Sequence, residues 1–277
     1  SGDELRRRQY LAGISIEDLE IILHPMVEEE KEAVGSMGDD TPAAVLSEKY
    51  RPLSHFFRQN FSQVTNPPID SLRENEVMSL KTRFGNLGNI LDFENLTKDN
   101  IYVLESPILS NSQFEKFTVF FKDNLKVLDC TFDVQNNLKK RLDQLCSEAE
   151  IAVREGYKHL ILSDKKISEK KAAIPMILAF GAINSKLVNL GIRGFVSINV
   201  QTGEVLDTHS FAVLLGIVST IINPYLVFDS IYQRYEKKLF GKFSYEECIQ
   251  RYIKSVDNGL LKIMSKMGIS VLSSYRG

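Results

Sequence analysis

From about residue 100 onward the chain alternates short apolar runs with long amphipathic ones, and this alternation constrains the fold more than any other feature. Val127 to Phe132, Leu160 to Leu162, Phe195 to Val200, Thr220 to Ile222 and Ile269 to Leu272 read as strands. Between them, Asn136 to Glu155 places Leu138, Leu142, Leu145, Ala149 and Ala152 on one helical stripe closed by Gly156. Pro175 opens a second helix through Leu190, and Thr208 to Ile217 makes a third, with further helices from Tyr225 and Tyr245. Strands separated by helices of this length imply parallel βαβ units with right-handed crossovers. Some five strands are too few for a closed eight-stranded barrel, so the second half is either a partial barrel or a small doubly wound sheet.

In either fold chemistry belongs at the C-terminal ends of the strands, which selects Asp164, Thr202, Asn223 and the loop toward His209. Each also has a structural reading: Asp164 as a loop cap, Asn223 as the fix for the turn before Pro224, His209 as a satisfied imidazole in a first helical turn. No Ser/His/Asp or Cys/His set emerges, and histidines scattered at 24, 55, 159 and 209 give no metal cluster.

Residues 1–99 are irregular and mainly helical. Ser15 and Asp18 form a capping box for a helix that Pro25 should interrupt, and a second short helix follows over Met26 to Val34, ended by Gly35. Asp39 and Asp40 supply too few ligands for a metal, and Gly85 and Gly88 in FGNLGN fail both phosphate-loop patterns. Leu53 to Phe61 puts Phe56, Phe57 and Phe61 on a helical face expected to dock on the core, and a helix from Ser71 places Leu72, Glu76 and Leu80 together. Between these lies VTNPPID, Val64 to Asp70. Pro67 and Pro68 lack backbone donors and bias their predecessors away from α, so the strip is stiff and extended, with the polar side chains of Thr65 and Asn66 at its start. On local physics alone it is a turn that closes a helix.

The 34 basic and 36 acidic residues leave a net charge of −2, which points to neither nucleic acid nor an anionic membrane as partner. Cys130, Cys146 and Cys248 are read as buried thiols of a reducing compartment, with no zinc or iron–sulfur spacing. No apolar run approaches membrane-spanning length and no leader opens the chain, so a cytoplasmic setting is expected. The start at Ser1 without Met and the stop at Gly277 lead us to expect a piece of a longer protein.

Six stretches carry a family resemblance: GSMGDDTPAAVLS (35–47), FSQVTNPPIDSLRE (61–74), LESPILS (104–110), TGEVLDTHSFAVLLG (202–216), INPYL (222–226) and KSVDNGLLKIMSKMGISVLSSYRG (254–277). In this order they resemble the central domain of the glutamate synthase large chain, with Gln201, Leu206 and Ser210 as local departures. The resemblance implies an α/β fold, a partial, degenerate TIM-like (β/α) barrel over 100–277 preceded by the irregular segment 1–99, all within one domain. It implies that an amidotransferase domain releases ammonia from glutamine, and that ammonia passes inside the protein to an FMN domain. There 2-oxoglutarate is aminated and reduced beside an iron–sulfur cluster. Partners would be those two domains of the same chain, with a small electron-donating subunit or ferredoxin.

Little catalytic machinery carries over to these residues. Ser1 is not the nucleophilic cysteine, and the resemblance places FMN and the cluster elsewhere in the parent enzyme. Positions matching Val34, Thr65 and Asn66 line the ammonia route in the family, Val34 standing where a larger aliphatic residue is common. The expected role is thus connector and channel wall, with no catalytic, cofactor or metal residues. The rivals are a free-standing half-barrel enzyme binding flavin or phosphate at its strand ends, and a pure interaction module.

Overall fold

The computed structural model describes residues 2–33, 46, 50–58, 66–70, 72–84, 101–217 and 219–276. The first of these form α1 (Gly2–Leu11), α2 (Ile16–Asp18), a π-helical turn at Leu19–Leu23 and α3 (His24–Glu28). The capping box at Ser15 is present: its hydroxyl accepts the Asp18 N–H at 3.0 Å, and the Asp18 carboxylate accepts the Ser15 N–H at 2.7 Å. Pro25 does not stop the helix. The turn widens ahead of it, with the His24 N–H donating to Leu19 O, and the proline falls in the first turn of α3, where its missing donor leaves little unpaired. Leu19, Leu23, Met26 and Val27 are buried in the main core, so this segment is anchored by its apolar face.

Two expected helices shrink. Over Leu53 to Arg58, the described part of the first run, there is one 3-10 turn, Leu53–Phe56, ended by an extended Phe57. Phe56 and Phe57 are exposed instead of docked; the Arg51 guanidinium lies 5.2 Å from the Phe56 ring, and Phe61 lies outside the described residues. The run from Ser71 yields only α4 (Glu74–Val77): the Asp70 carboxylate caps the turn ahead of it, accepting the Leu72 and Arg73 N–H groups at 2.9 and 3.0 Å, and Met78 is already extended. Leu72 is left 87% exposed, while Leu80 is buried in extended chain.

β1 (Thr82–Phe84) pairs antiparallel with β2 (Tyr102–Leu104), and α5 (Asn111–Phe120) follows from a Ser110/Gln113 capping box. The regular half then runs β3 (Leu125–Asp129), β4 (Thr131–Asp133), α6 (Leu138–Arg154), β5 (His159–Ser163), β6 (Lys171–Ala173), α7 (Met176–Asn189), β7 (Ser197–Gln201), α8 (Thr208–Gly216), β8 (Ile222–Asn223), α9 (Tyr225–Glu236), α10 (Tyr245–Met267) and α11 (Leu272–Tyr275). β3, β5, β7 and β8 form one parallel sheet in chain order, with Val127 opposite Ile161, Ile161 opposite Asn199 and Val200 opposite Ile222. The protein is thus mixed α/β, built on a parallel sheet with helices.

The strand expected over Val127 to Phe132 divides at Cys130. Asp129 accepts the Thr131 N–H and hydroxyl at 3.0 and 2.7 Å, and this local turn redirects β4 into a two-stranded antiparallel ribbon with β6. The strand expected at Ile269 to Leu272 is a single bridge between Ser79 and Val271, since Leu272 already begins α11.

A strand alternates its side chains between two faces, and here the faces meet different cores. Leu128, Leu160, Leu162, Ile198 and Val200 pack with the helices, among them Leu145, Ala149, Phe180, Ile183, Phe211 and Leu215. Ile161 points the other way, into a cluster of Phe84, Leu109, Phe114, Phe117, Phe121 and Ile221. Right-handed crossovers in consecutive order put the linking helices on one face and leave the other to α5 and the β1–β2 pair.

Candidate functional site

Of the three residues expected to line a conduit, Val34 and Thr65 lie outside the described residues, as do Gly35, Asp39, Asp40, Gly85 and Gly88. Asn66 is described and exposed. The strip it begins has neither helix nor strand through Asp70, as two prolines dictate. Its far end is fixed. Gly268, the left-handed cap of α10 at φ 71°, has no side chain, and a Cβ there would come 3.2 Å from Pro68 Cβ. Just beyond, the Ser79 N–H donates to Ser270 O at 2.8 Å and the Leu272 N–H to Ser79 O at 3.1 Å, which lashes the segment after the strip to the end of α10.

This contact yields a test. Gly268→Ala places an L-residue at a left-handed angle against Pro68 and should cost about 1–2 kcal/mol, read from the urea midpoint. An unchanged midpoint would show that neither the angle nor the proline constrains this cap.

The strand C-termini form the second candidate. Asp164, Thr202 and Asn223 are brought together there, each at most 2% exposed. A row of amides and hydroxyls crosses three strands: Ser163 Oγ donates to Gln201 Oε1 at 2.8 Å, Gln201 Nε2 to Asn223 Oδ1 at 3.0 Å, and Asn223 Nδ2 to Leu109 O and Asn111 Oδ1, both at 3.0 Å. Gln201 and Asn223 are bonded on both sides, so they stitch the sheet edge and leave little to offer a ligand. Asp164 accepts the Thr202 hydroxyl at 2.5 Å and the Gly203 N–H at 3.1 Å. His209 is not part of this group: in the first turn of α8 its Nε2–H donates to Ser54 O at 2.8 Å, while its Nδ1 is buried without a hydrogen-bond partner, so the imidazole is held in place but only half satisfied.

Asp164 lines a cavity of about 260 Å³ together with Tyr50, Glu204 and Tyr225, under the end of α1 at Leu11 and Ala12. Glu204 accepts the Met176 N–H at 2.9 Å, and the hydroxyl of Tyr225, a residue 1% exposed, interacts with Asp164 and Arg8. Burial pushes the Asp164 carboxyl up to about 6 despite the Thr202 hydrogen bond. Burial and then the Asp164 charge push Glu204 up to about 8. Burial and the two acids raise Tyr50 to about 12, and burial and then Asp164 alone raise Tyr225. Glu204, Tyr50 and Tyr225 as cavity residues are invisible to motif reading, because Tyr50 comes from far outside the βα half. Of the thiols, Cys130 and Cys248 are buried and Cys146 is only partly so.

The sequence family "Glutamate synthase central domain" matches residues 7–277. The glutamate synthase [NADPH] large chain of Azospirillum brasilense is 55% identical over 99% of this chain. The chain belongs to the glutamate synthase central-domain family. It is also 40% identical to the NADPH large chain of Bacillus subtilis and 40% identical to the chloroplastic ferredoxin-dependent glutamate synthase of Spinacia oleracea, each over 99% of its length. It spans 18% of the length of each of these three relatives. Among solved structures, a mutant flavocytochrome b2 with benzoylformate is similar with a TM-score of 0.41 at 12% identity, over 61% of this chain and 37% of that one, too distant to bear on the fold. The departures from the family pattern noted above, at Gln201 and Ser210, are accommodated by hydrogen bonds, Gln201 to Ser163 and Asn223, and Ser210 to the α8 cap Asp207.

Proposed function

We propose that this chain is the connecting domain of a glutamate synthase large chain, that it lines the internal ammonia route, and that it catalyses no step by itself. The observation that carries the reading is the match of residues 7–277 to the central-domain family, inside relatives of which the chain spans 18%. The consecutive order β3, β5, β7, β8 favours an arc of a degenerate TIM-like barrel over a doubly wound sheet, since doubly wound sheets reverse order at a switch point. Residues 1–99 then supply the interdomain segment and channel wall, and 100–277 the barrel arc.

The rival flavin-binding half-barrel fits the residues poorly. Its site would be at the strand C-termini, where the end of α1 and Tyr50 cover a cavity of about 260 Å³, smaller than usual cofactor pockets. Asp164 and Glu204 would oppose the phosphate of FMN there, and we route no chemistry through a flavin in this chain. FMN and the iron–sulfur cluster belong, in this reading, to the parent enzyme, whose amidotransferase and FMN domains flank this one. A small subunit or ferredoxin delivers electrons, and the setting is cytoplasmic; no helix among the described residues is long and apolar enough to cross a membrane.

Val34, Thr65 and Asn66 form the proposed wall. Ammonia stays neutral only where water is excluded, and a few fixed donors and acceptors in an apolar tube meet that need. The anchoring of Pro68 at Gly268 and of Asp70 at α4 supports a fixed Asn66 end, although the chain bends at Asn66, Pro68 and Ile69 where an extended strip was expected. As prepared alone, the 277-residue chain should neither hydrolyse glutamine nor bind FMN. Turnover of glutamine, or a yellow chromophore that co-purifies, would overturn the connector reading in favour of the rival enzyme.

A further inference from the structure

We propose that the groove along α10 seats an acidic polypeptide segment that belongs to the same large chain but lies outside these 277 residues. The proposal rests on the reading of this chain as one domain of that longer protein. Its first support is shape. Lys254, Asn258, Lys262 and Lys266 recur every four residues on α10 and form an exposed rim, while Ser255, Gly259 and Ile263, each one position further on, form the floor. At a rise of 1.5 Å per residue the rim runs for roughly 18 Å, the length of an extended segment of about five or six residues. The far wall is the stretch Glu29 to Glu32, and the space between has a volume of about 750 Å³. A single inorganic anion would leave most of that length empty.

The second support is a pair of polar side chains on the floor that nothing among the described residues satisfies. Ser255 and His209 are 3% and 4% exposed and both line the groove, and neither the Ser255 hydroxyl nor His209 Nδ1 has a hydrogen-bond partner. Because His209 Nε2–H is committed to Ser54 O, its Nδ1 presents a lone pair and needs a donor. Buried polar atoms are rarely left unpaired, and a peptide laid in the groove carries an N–H and a C=O on nearly every residue to pair them. The floor is held at a fixed height: a Cβ on Gly259 would come 2.5 Å from Thr208 Cγ2 on α8, and the Thr208 N–H donates to Glu32 at 3.1 Å.

The third support is charge. On the rim, Lys254 is paired: its Nζ lies 2.5 Å from one Glu30 oxygen, and Arg251 lies 2.8 Å from the other. Lys262 and Lys266 have no ion-pair partner among the described residues. Two like charges one helical turn apart repel each other, and a carboxylate set between them relieves that repulsion. The far wall does not supply it, since Glu30 is held by Arg251 and Lys254, and Glu32 by the Thr208 N–H. An acid from elsewhere answers the two lysines. Polypeptide to provide it is ample, because these residues span 18% of the large chains they match.

Lysine footprinting of the intact large chain is the test. With N-hydroxysuccinimidyl acetate as reagent and mass spectrometry as readout, Lys262 and Lys266 should react at least about fivefold more slowly in the folded chain than in the same chain unfolded in urea, as side chains shielded from water at an interface do. Carbodiimide, which joins an amine to a carboxylate in direct contact, should link one of the two lysines to an Asp or Glu of the same chain outside residues 1–277. Acetylation at the unfolded rate would overturn the proposal. So would cross-links confined to Glu29 and Glu32 across the groove, or to a second polypeptide. The connector reading stands or falls separately, on the ratio of glutamate formed to glutamine hydrolysed.

Discussion

Replacement of Phe117 by alanine is expected to destabilise the 277-residue chain by about 3–5 kcal/mol. Phe117 is fully buried on α5 and sits at the centre of an aromatic cluster: its ring lies 5.0 Å from Phe84, 5.9 Å from Tyr102, 6.4 Å from Phe114, 4.9 Å from Phe121 and 6.1 Å from His159. Those partners come from β1, β2, α5 itself and β5, so one side chain ties the antiparallel pair and α5 to the second face of the parallel sheet. Its removal leaves a cavity that rings on four elements cannot fill without moving one of them. Urea denaturation followed by circular dichroism measures the loss. A change under about 1 kcal/mol would mean that the second core is not closed around this residue.

Stability should also fall as pH rises from about 4.5 to about 8. Burial holds three carboxyls above their ordinary values in the fold: Asp164 at about 6, Asp257 at about 7 and Glu204 at about 8. A carboxyl with a raised folded value contributes most below its unfolded value and loses that contribution as pH climbs through the folded one. For Glu204 alone, a move from 4.5 to about 8 corresponds to on the order of 5 kcal/mol. His159 works at the other end: burial lowers it to about 4, so charging it costs stability as pH falls from about 6.5 to about 4. Three raised carboxyls outweigh one lowered imidazole between these values, so the net slope from these groups is already downward from about pH 4.5. Glu204→Gln should flatten the alkaline limb, and wild type and variant should converge near pH 5. Parallel limbs in the two proteins would contradict the assignment of the buried proton to Glu204.

The β5 and β7 strands and the helices α6 to α10 are legible in the sequence because strand and helix periodicities differ sharply and the stop signals, Gly156, Gly191 and Gly268, stand where the helices end. β1, β2, β4 and β6 are not, for a physical reason. Each is three residues long and exists by pairing with a remote partner, so no local pattern marks it. The overestimated helices at Phe56 and Leu72 end early because the backbone turns extended at Phe57 and at Met78, which no local signal marks. At the strand ends, Asp164, Thr202 and Asn223 could be named from their positions after apolar runs. Their division of labour could not, because it depends on Tyr50, the end of α1 and Met176, which the fold brings in from elsewhere. The polar strip at Asn66 was legible as stiff and irregular from its two prolines, whereas its anchoring at Gly268 was not.

The central claim, that this domain lines the ammonia route of a glutamate synthase, is tested most directly in the intact large chain carrying Thr65→Val or Asn66→Ala. The quantity to measure is glutamate formed from 2-oxoglutarate per glutamine hydrolysed, with free ammonia assayed alongside. The account predicts that glutamine hydrolysis continues and FMN content stays unchanged, while the ratio falls and ammonia appears in solution. An unchanged ratio in both variants, with no ammonia released, would contradict it.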